Sequence, residues 1–148
     1  MVRTIPEDIE FLRTPSEPVK ITDDYISIIN ELLSEVDQIG CGLAAIQIGY
    51  LKAITVMQLG GPTESYTVAI NPIWTNSTHE KTTRAERCLS IPSGTFKVIR
   101  YEAIMIAYLD KDFKPQSKKL YGFAASIYQH ETDHTKGRII SDTGILIS

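Results

Sequence analysis

The chain has 148 residues, of which 43% are apolar and 22% are charged. These fractions are typical of a globular domain and exclude a disordered chain, so we expect one domain over residues 1–148. Fifteen Lys and Arg against eighteen Asp and Glu give a net charge of −3, which argues against a nucleic-acid-binding protein. The longest clean apolar run, Ala103–Leu109, is too short to span a bilayer, and the first residues lack the apolar segment of a signal peptide. A soluble, cytoplasmic enzyme or binding module remains.

Prolines, glycines and the spacing of apolar residues divide the chain into predicted elements. Residues 1–22 contain three prolines, which predicts an extended segment. Residues 23–38 repeat apolar side chains at helical spacing, and Gly40 is expected to end this first helix. The runs that follow predict strands at 52–59, 65–71, 96–110 (one or two strands) and 117–121. Together with a second helix further on, these strands indicate an α+β fold.

The second predicted helix spans residues 123–136, ends at Gly137 and contains the pattern His-Glu-x-x-His. Because residues four apart lie on one face of a helix, His130 and His134 can bind one metal ion. Glu131 follows the first histidine, where it can handle the proton of a water molecule on that metal. Roughly 0.004 such patterns are expected by chance in a chain of this composition, so two surface histidines are the weaker explanation.

The metal site needs a further ligand, since a catalytic metal usually takes three protein ligands and a water molecule. Residues 135–148 contain no Glu, and Ile140 occupies the place of the third histidine in one class of metalloproteases. The third ligand is therefore expected upstream of the helix. The candidates are Cys88, Cys41, His79 or a carboxylate, and a thiolate is the best soft ligand among them.

Three motifs follow one another along the chain: a glycine-flanked Gly-Leu-Ala-Ala-x-Gln, then Cys-Leu-Ser, then Gln-His-Glu-x-Asp-His. In this order, over residues 40–134, they resemble the peptide deformylases. The resemblance implies an α+β fold of mostly antiparallel strands around a central helix that carries His-Glu-x-x-His, with residues 1–148 as one catalytic domain. It also implies a metal-dependent hydrolase that removes the N-formyl group from the initiator methionine of nascent polypeptides and releases formate.

The same resemblance assigns roles to single residues. It implies one divalent metal ion per chain, Fe(II) first, with zinc, nickel or cobalt as substitutes. The implied ligands of this ion are Cys88, His130 and His134. Glu131 would be the acid/base group, and the side-chain amide of Gln47 with the backbone N–H of Leu89 would stabilise negative charge on the reacting oxygen.

The substrate is expected to lie along the glycine-rich segment. Glycines there let a peptide backbone approach the metal closely, and the neighbouring extended segments could pair with the peptide as an added strand. Ser126 and Ile127 lie one helical turn before His130, so they are expected to line the methionine pocket. The expected substrate contacts are Gly40, Cys41, Gly42, Arg87, Ser126 and Ile127. Turn-forming glycines and a small buried Cys41 are the simpler structural alternatives.

Some features depart from the usual pattern of the family. Arg87 stands where Gly usually precedes the metal-binding cysteine, and Ile46 replaces the usual Pro or Thr. The chain also stops soon after His134, as the shortened members do, including those encoded by phages. We further predict that Arg100 pairs with Glu86 and holds the strand of the cysteine in place.

The expected partners are N-formyl-methionyl nascent peptides at the ribosome, in the cytoplasm of the cell or of a phage host. We expect a monomer without a direct nucleic-acid or membrane site. Two rival functions remain. Another metal-dependent amidase or peptidase is disfavoured by the missing downstream ligand. A binding module with structural zinc is disfavoured because such sites usually have four protein ligands.

Overall fold

The computed structural model describes residues 1–36, 41–61 and 64–148. Within these residues the helices are α1 (Ile9–Leu12), α2 (Ile26–Val36), α3 (Gly122–Thr135) and α4 (Ile140–Thr143). The strands are β1 (Gly42–Ala44), β2 (Ile54–Met57), β3 (Thr67–Asn76), β4 (Lys81–Cys88), β5 (Ile91–Tyr101), β6 (Ala103–Leu109), β7 (Pro115–Tyr121) and β8 (Ile145–Leu146). A short 3₁₀ turn, Ala45–Ile48, follows β1 directly. No helix in the described part of the chain has the length and apolar character that a membrane crossing needs.

The strands form two antiparallel sheets, with the order β1-β2-β3-β6-β7 in the larger and β4-β5-β8 in the smaller. Leu43 of β1 lies opposite Val56 of β2, and Glu86 of β4 lies opposite Phe96 of β5. β1 and β4 are each the outer strand of their sheet, so among the described residues each has one edge without a strand partner. Both unpaired edges border the same cavity.

The amphipathic helix α2 supports β1. Its buried side chains Ile29, Leu32 and Val36 pack in one cluster with Leu43 of β1 and Ile54 of β2. Burying an aliphatic side chain of this size contributes about 1.5–3 kcal/mol relative to leaving it exposed. This cluster therefore holds the β1 backbone and the 3₁₀ turn that follows it.

Helix α3 is buried on most of its surface although many of its residues are polar. Tyr128 packs against Ile104 and Leu120 of the larger sheet. Its hydroxyl donates to the carbonyl oxygens of Ile73 and Ala107, which lie at 3.1 and 3.2 Å. Burial raises the pKa of Tyr128, so the phenol remains a neutral donor. The helix is thereby held centrally against the larger sheet.

The predicted elements agree with the structure where the apolar spacing is regular. The helix predicted at 123–136 is α3, and Gly137 after it has a positive φ of 75°. The run 96–110 contains β5 and β6, as two strands. The first helix begins at Ile26 instead of residue 23, because the Asp24 carboxylate accepts hydrogen bonds from the N–H and hydroxyl of Ser27. Its predicted end at Gly40 lies outside the described residues.

Several elements were not predicted. Residues 1–22 are not wholly extended, because α1 forms within them and buries Leu12 completely. A strand carrying Cys88 was expected, but its range, β4, was not predicted because Lys81–Arg87 is a run of mostly polar residues without an apolar face. β1, α4 and β8 are each four residues or shorter, too short to show a period.

Candidate active site

Two elements bring the three predicted metal ligands together. Cys88 ends β4, while His130 and His134 lie one turn apart on α3. One ligand atom from each of the three lies within 4.8 Å of the others, and Cys88 Sγ is 3.5 Å from His134 Nε2. All three side chains are buried. A thiol and two imidazoles at this spacing fit one transition-metal ion.

The charge around Cys88 favours its thiolate form. Burial opposes ionisation of the thiol, but the neighbouring imidazoles of His134 and His130 outweigh burial and lower the pKa of Cys88 well below its ordinary value. The thiolate is the form of cysteine that binds metals.

A second layer of polar side chains orients His130. Its Nδ1 lies 2.8 Å from Glu86 Oε1, which leaves Nε2 to face the cluster. Arg100, only 5% exposed, donates to both oxygens of Glu86 at 2.9 and 2.7 Å and to Asp133 at 2.7 Å. Burial alone would raise the pKa of Glu86, yet the hydrogen bonds from Arg100 and His130 lower it to about 2. The predicted pairing of Arg100 with Glu86 is confirmed, and it joins β4, β5 and α3.

Gln47 has a defined orientation at the end of the 3₁₀ turn. Its Oε1 accepts from the Ala44 N–H at 2.9 Å. The amide nitrogen therefore points the other way, 3.1 Å from Ser90 Oγ and 3.6 Å from Cys88 Sγ. A side-chain donor is thus placed beside the cluster, where charge developing on a reacting oxygen could accept from it.

Glu131 is the buried carboxylate nearest in sequence to the ligands. It is 5% exposed, and its Oε1 has no hydrogen-bond partner among the described residues. Burial raises its pKa. A Cβ added at Gly42 would lie 2.8 Å from both Cγ and Oε2 of Glu131, so only glycine there leaves room for this carboxylate. Buried polar atoms rarely lack partners, so Glu131 is a candidate for proton transfer at this site.

A cavity of about 510 Å³ opens beside the cluster, between the edges of β1 and β4 and the first turns of α3. Its volume lies within the range of about 300–1,000 Å³ that is usual for small-ligand sites. Most of the predicted site residues border it, namely Cys41, Gly42, Gln47, Arg87, Cys88, Leu89, Ser126, Ile127, His130 and Glu131. His134 belongs to the ligand cluster, and Gly40 lies outside the described residues.

The other candidates for the third ligand do not join the cluster. Cys41 is an exposed free thiol on the cavity wall, and His79 is exposed after β3. The small-and-buried explanation of Cys41 is therefore wrong. Ser126 fits the predicted pocket, and its hydroxyl is buried without a partner in the described part of the chain.

Some residues of the site were not predicted from the sequence. Arg84 and Phe123 also border the cavity, and Glu86 is the partner of His130 as well as of Arg100. Two signals could have pointed to this layer. Glu86 is two residues before the cysteine and so shares its face of the strand, and Asp133 lies inside the histidine motif.

Comparison with known proteins agrees with this arrangement. The family described as Polypeptide deformylase matches residues 1–145. A peptide deformylase of Rhizobium meliloti is 37% identical over 135 residues, covering 88% of this chain and 78% of that protein.

Solved structures show the same fold. A peptide deformylase crystal structure from Legionella pneumophila superposes with a TM-score of 0.87 at 30% identity, covering 97% of this chain and 84% of that one. A probable peptide deformylase from synechococcus phage S-SSM7 gives a TM-score of 0.84 at 32% identity, covering 96% and 97%. The expected α+β deformylase-like fold is thus confirmed. The chain belongs to the peptide deformylase family, whose members are metal-dependent hydrolases that remove the N-formyl group from nascent peptides.

Proposed function

We propose that this chain removes the N-formyl group from the initiator methionine of nascent polypeptides through the site formed by β1, β4 and α3. The observation that carries the proposal is the buried carboxylate of Glu131, whose Oε1 has no hydrogen-bond partner among the described residues. It lies next to the Cys88, His130 and His134 cluster, at the wall of a ligand-sized cavity. Membership of the deformylase family supports the same reaction.

We infer that Cys88, His130 and His134 hold one divalent ion per chain, Fe(II) by the family resemblance, with zinc, nickel or cobalt able to take its place. The thiolate and the two imidazoles suit all four of these metals. When bound, such an ion would act as a Lewis acid and lower the pKa of a water molecule toward neutrality.

Glu131 is the proposed proton carrier. Its carboxylate accepts a proton from the attacking water as the oxygen adds to the formyl carbon. The carboxylic acid then returns that proton to the peptide nitrogen as the carbon–nitrogen bond breaks. Formate and a peptide with a free amino terminus are the products. The raised pKa of Glu131 supports the first step, because it makes the carboxylate a better base.

Gln47 and Leu89 are the proposed donors to the formyl oxygen. Negative charge develops on this oxygen during attack, and fixed donors stabilise it most. The Ala44 N–H holds the amide of Gln47 with its nitrogen toward the cluster. Leu89 directly follows Cys88 and borders the cavity, so we propose its backbone N–H as the second donor.

The peptide is proposed to bind as an added strand between the free edges of β1 and β4. Cys41, Gly42 and Arg87 would flank its backbone, while Ser126 and Ile127 would contact the methionine side chain. We infer that the chain acts as a monomer. We also infer that it meets its substrates at the ribosome, in the cytoplasm of the cell or of a phage host.

The proposal is tested by formate release. Protein purified anaerobically, with its metal content measured, is incubated with formyl-Met-Ala-Ser amide, and formate is quantified. The Glu131→Gln variant should keep the metal and lose at least roughly 10²–10⁴ in turnover, the range of a positioned acid/base group. A metal-loaded wild type that releases no formate would contradict the proposed function.

A further inference from the structure

One positive charge at the cavity is not used by the network around the metal ligands. Four charged side chains border the cavity, Arg84, Glu86, Arg87 and Glu131. Glu86 is engaged by Arg100, and Arg84 lies 3.5 Å from the carboxylate of Glu102. Arg87 is exposed and has no ion pair or hydrogen-bond partner in the part of the chain that the structure describes. Its guanidinium is therefore available to a ligand.

The burial pattern at the end of β4 places Arg87 on the solvent side of the cavity. Glu86 and Cys88, its two neighbours, are withdrawn from solvent and belong to the network and the cluster. Arg87 lies between them and is exposed, as Ala85 is. The register of β4 against β5 shifts between Glu86 and Cys88, so the exposure of each residue indicates its direction here. Because Arg87 is exposed and borders the cavity, its guanidinium lies at the cavity mouth.

The side chains of a peptide added along β4 would point alternately to the two faces of the strand. This step rests on the proposed function, in which the methionine side chain enters the cavity beside Ser126 and Ile127. The side chain of the second residue then points out of the cavity, on the face that Arg87 occupies. Side chains opposite each other on paired strands have Cβ atoms about 4.5–5.5 Å apart, a distance that a guanidinium and a carboxylate span easily.

We propose that Arg87 is a specificity-determining residue that favours formyl-methionyl peptides with an acidic second residue. A guanidinium offers paired N–H donors that match the two oxygens of Asp or Glu. The same charge repels Lys or Arg at that position. Arg84 contributes less, because Glu102 faces it.

The expected effect is modest because the pair is exposed to solvent. Exposed ion pairs change an equilibrium by about 1.4- to 5-fold, and a repelled charge has an effect of similar size in the other direction. The kcat/KM for an acidic second residue should therefore exceed that for a basic one by about 2- to 20-fold at low salt.

The test compares formyl-Met-Glu-Ser amide, formyl-Met-Gln-Ser amide and formyl-Met-Lys-Ser amide, whose amidated ends remove the terminal carboxylate. The ratio of kcat/KM for the Glu peptide over the Lys peptide is measured for the metal-loaded wild type, Arg87→Gln and Arg87→Glu. Lys111→Gln removes one exposed positive charge from the turn between β6 and β7 and serves as the matched control.

In the wild type and in Lys111→Gln the ratio should exceed 1 and should shrink in 0.5 M salt, because salt screens exposed charges. It should fall close to 1 in Arg87→Gln and below 1 in Arg87→Glu. The inference would be overturned by a wild-type ratio of 1, or by a ratio that stays the same in both Arg87 variants. In that case, formate release from the Gln peptide would still support the proposed function. No formate from any peptide would overturn both.

Discussion

Replacing Gly42 by Ala should displace the Glu131 carboxylate while leaving the metal ligands where they are. The added Cβ would lie 2.8 Å from Glu131 Cγ and Oε2, whereas ordinary contacts between such atoms are 3.4–4 Å. The carboxylate must therefore move away by about 0.6 Å. Since a misplacement of 1 Å can lower a reaction rate by about 10²-fold, we expect kcat to fall about 10- to 100-fold. The fold should survive, because the colliding atoms belong to a side chain that can move.

The assay is formate release at saturating peptide, with metal content measured on the same samples. Gly60→Ala is the matched control, since its Cβ would collide with Glu64 Cγ at 2.6 Å in an exposed turn outside the cavity. We expect that control to keep wild-type kcat and the metal. Gly42→Ala should keep the metal and lose kcat.

A double-mutant cycle separates displacement of Glu131 from a direct block of the substrate. In a Glu131→Gln background the acid/base group is already lost, so adding Gly42→Ala should cost less than about 3-fold in kcat. If Gly42→Ala costs the same in both backgrounds, the alanine acts on the peptide and the argument from Glu131 is refuted.

Three further outcomes are expected. Cys88→Ser should weaken metal retention, because a hydroxyl is a harder ligand than a thiolate. The control variant Cys41→Ser should retain the metal. Equal metal loss in both variants would contradict the assigned ligand set. Gln47→Ala should lower turnover by about 10²–10³ with metal content unchanged, and full turnover would reduce Gln47 to a structural partner. Arg13 donates two hydrogen bonds to Asp142 and lowers the pKa of that carboxyl below its ordinary value, so the pair stabilises the fold at neutral pH and this contribution is lost as the pH falls through the lowered pKa. Arg13→Met should therefore lower the urea midpoint of unfolding slightly at pH 7 and by progressively less as the pH is lowered below about 4. An equal decrease at every pH would mean that packing, not charge, is lost.

The sequence by itself determined the chemistry of the site. The spacing of His130, Glu131 and His134 has a meaning that depends only on the 3.6-residue turn of a helix, so it could be interpreted without knowing the fold. The deformylase resemblance then singled out Cys88, which the structure brings to the same cluster. The helix that carries the motif was predicted to within one residue because its boundaries follow local spacing and a glycine cap.

Only the tertiary structure decided which side chains surround that chemistry. Glu86 comes within 2.8 Å of His130 although 44 residues separate them, and Arg100 links Glu86 to Asp133 across two strands and a helix. The extent of β4, which supplies Cys88, could not be predicted because its polar residues show no apolar period. Gly42 was predicted as a substrate contact, with a turn role as the alternative, and only its position against Glu131 showed that a Cβ has no room there. Local periodicity indicates contacts between residues a few positions apart. Long-range contacts are set by sheet pairing and helix packing, and both of these depend on the whole chain.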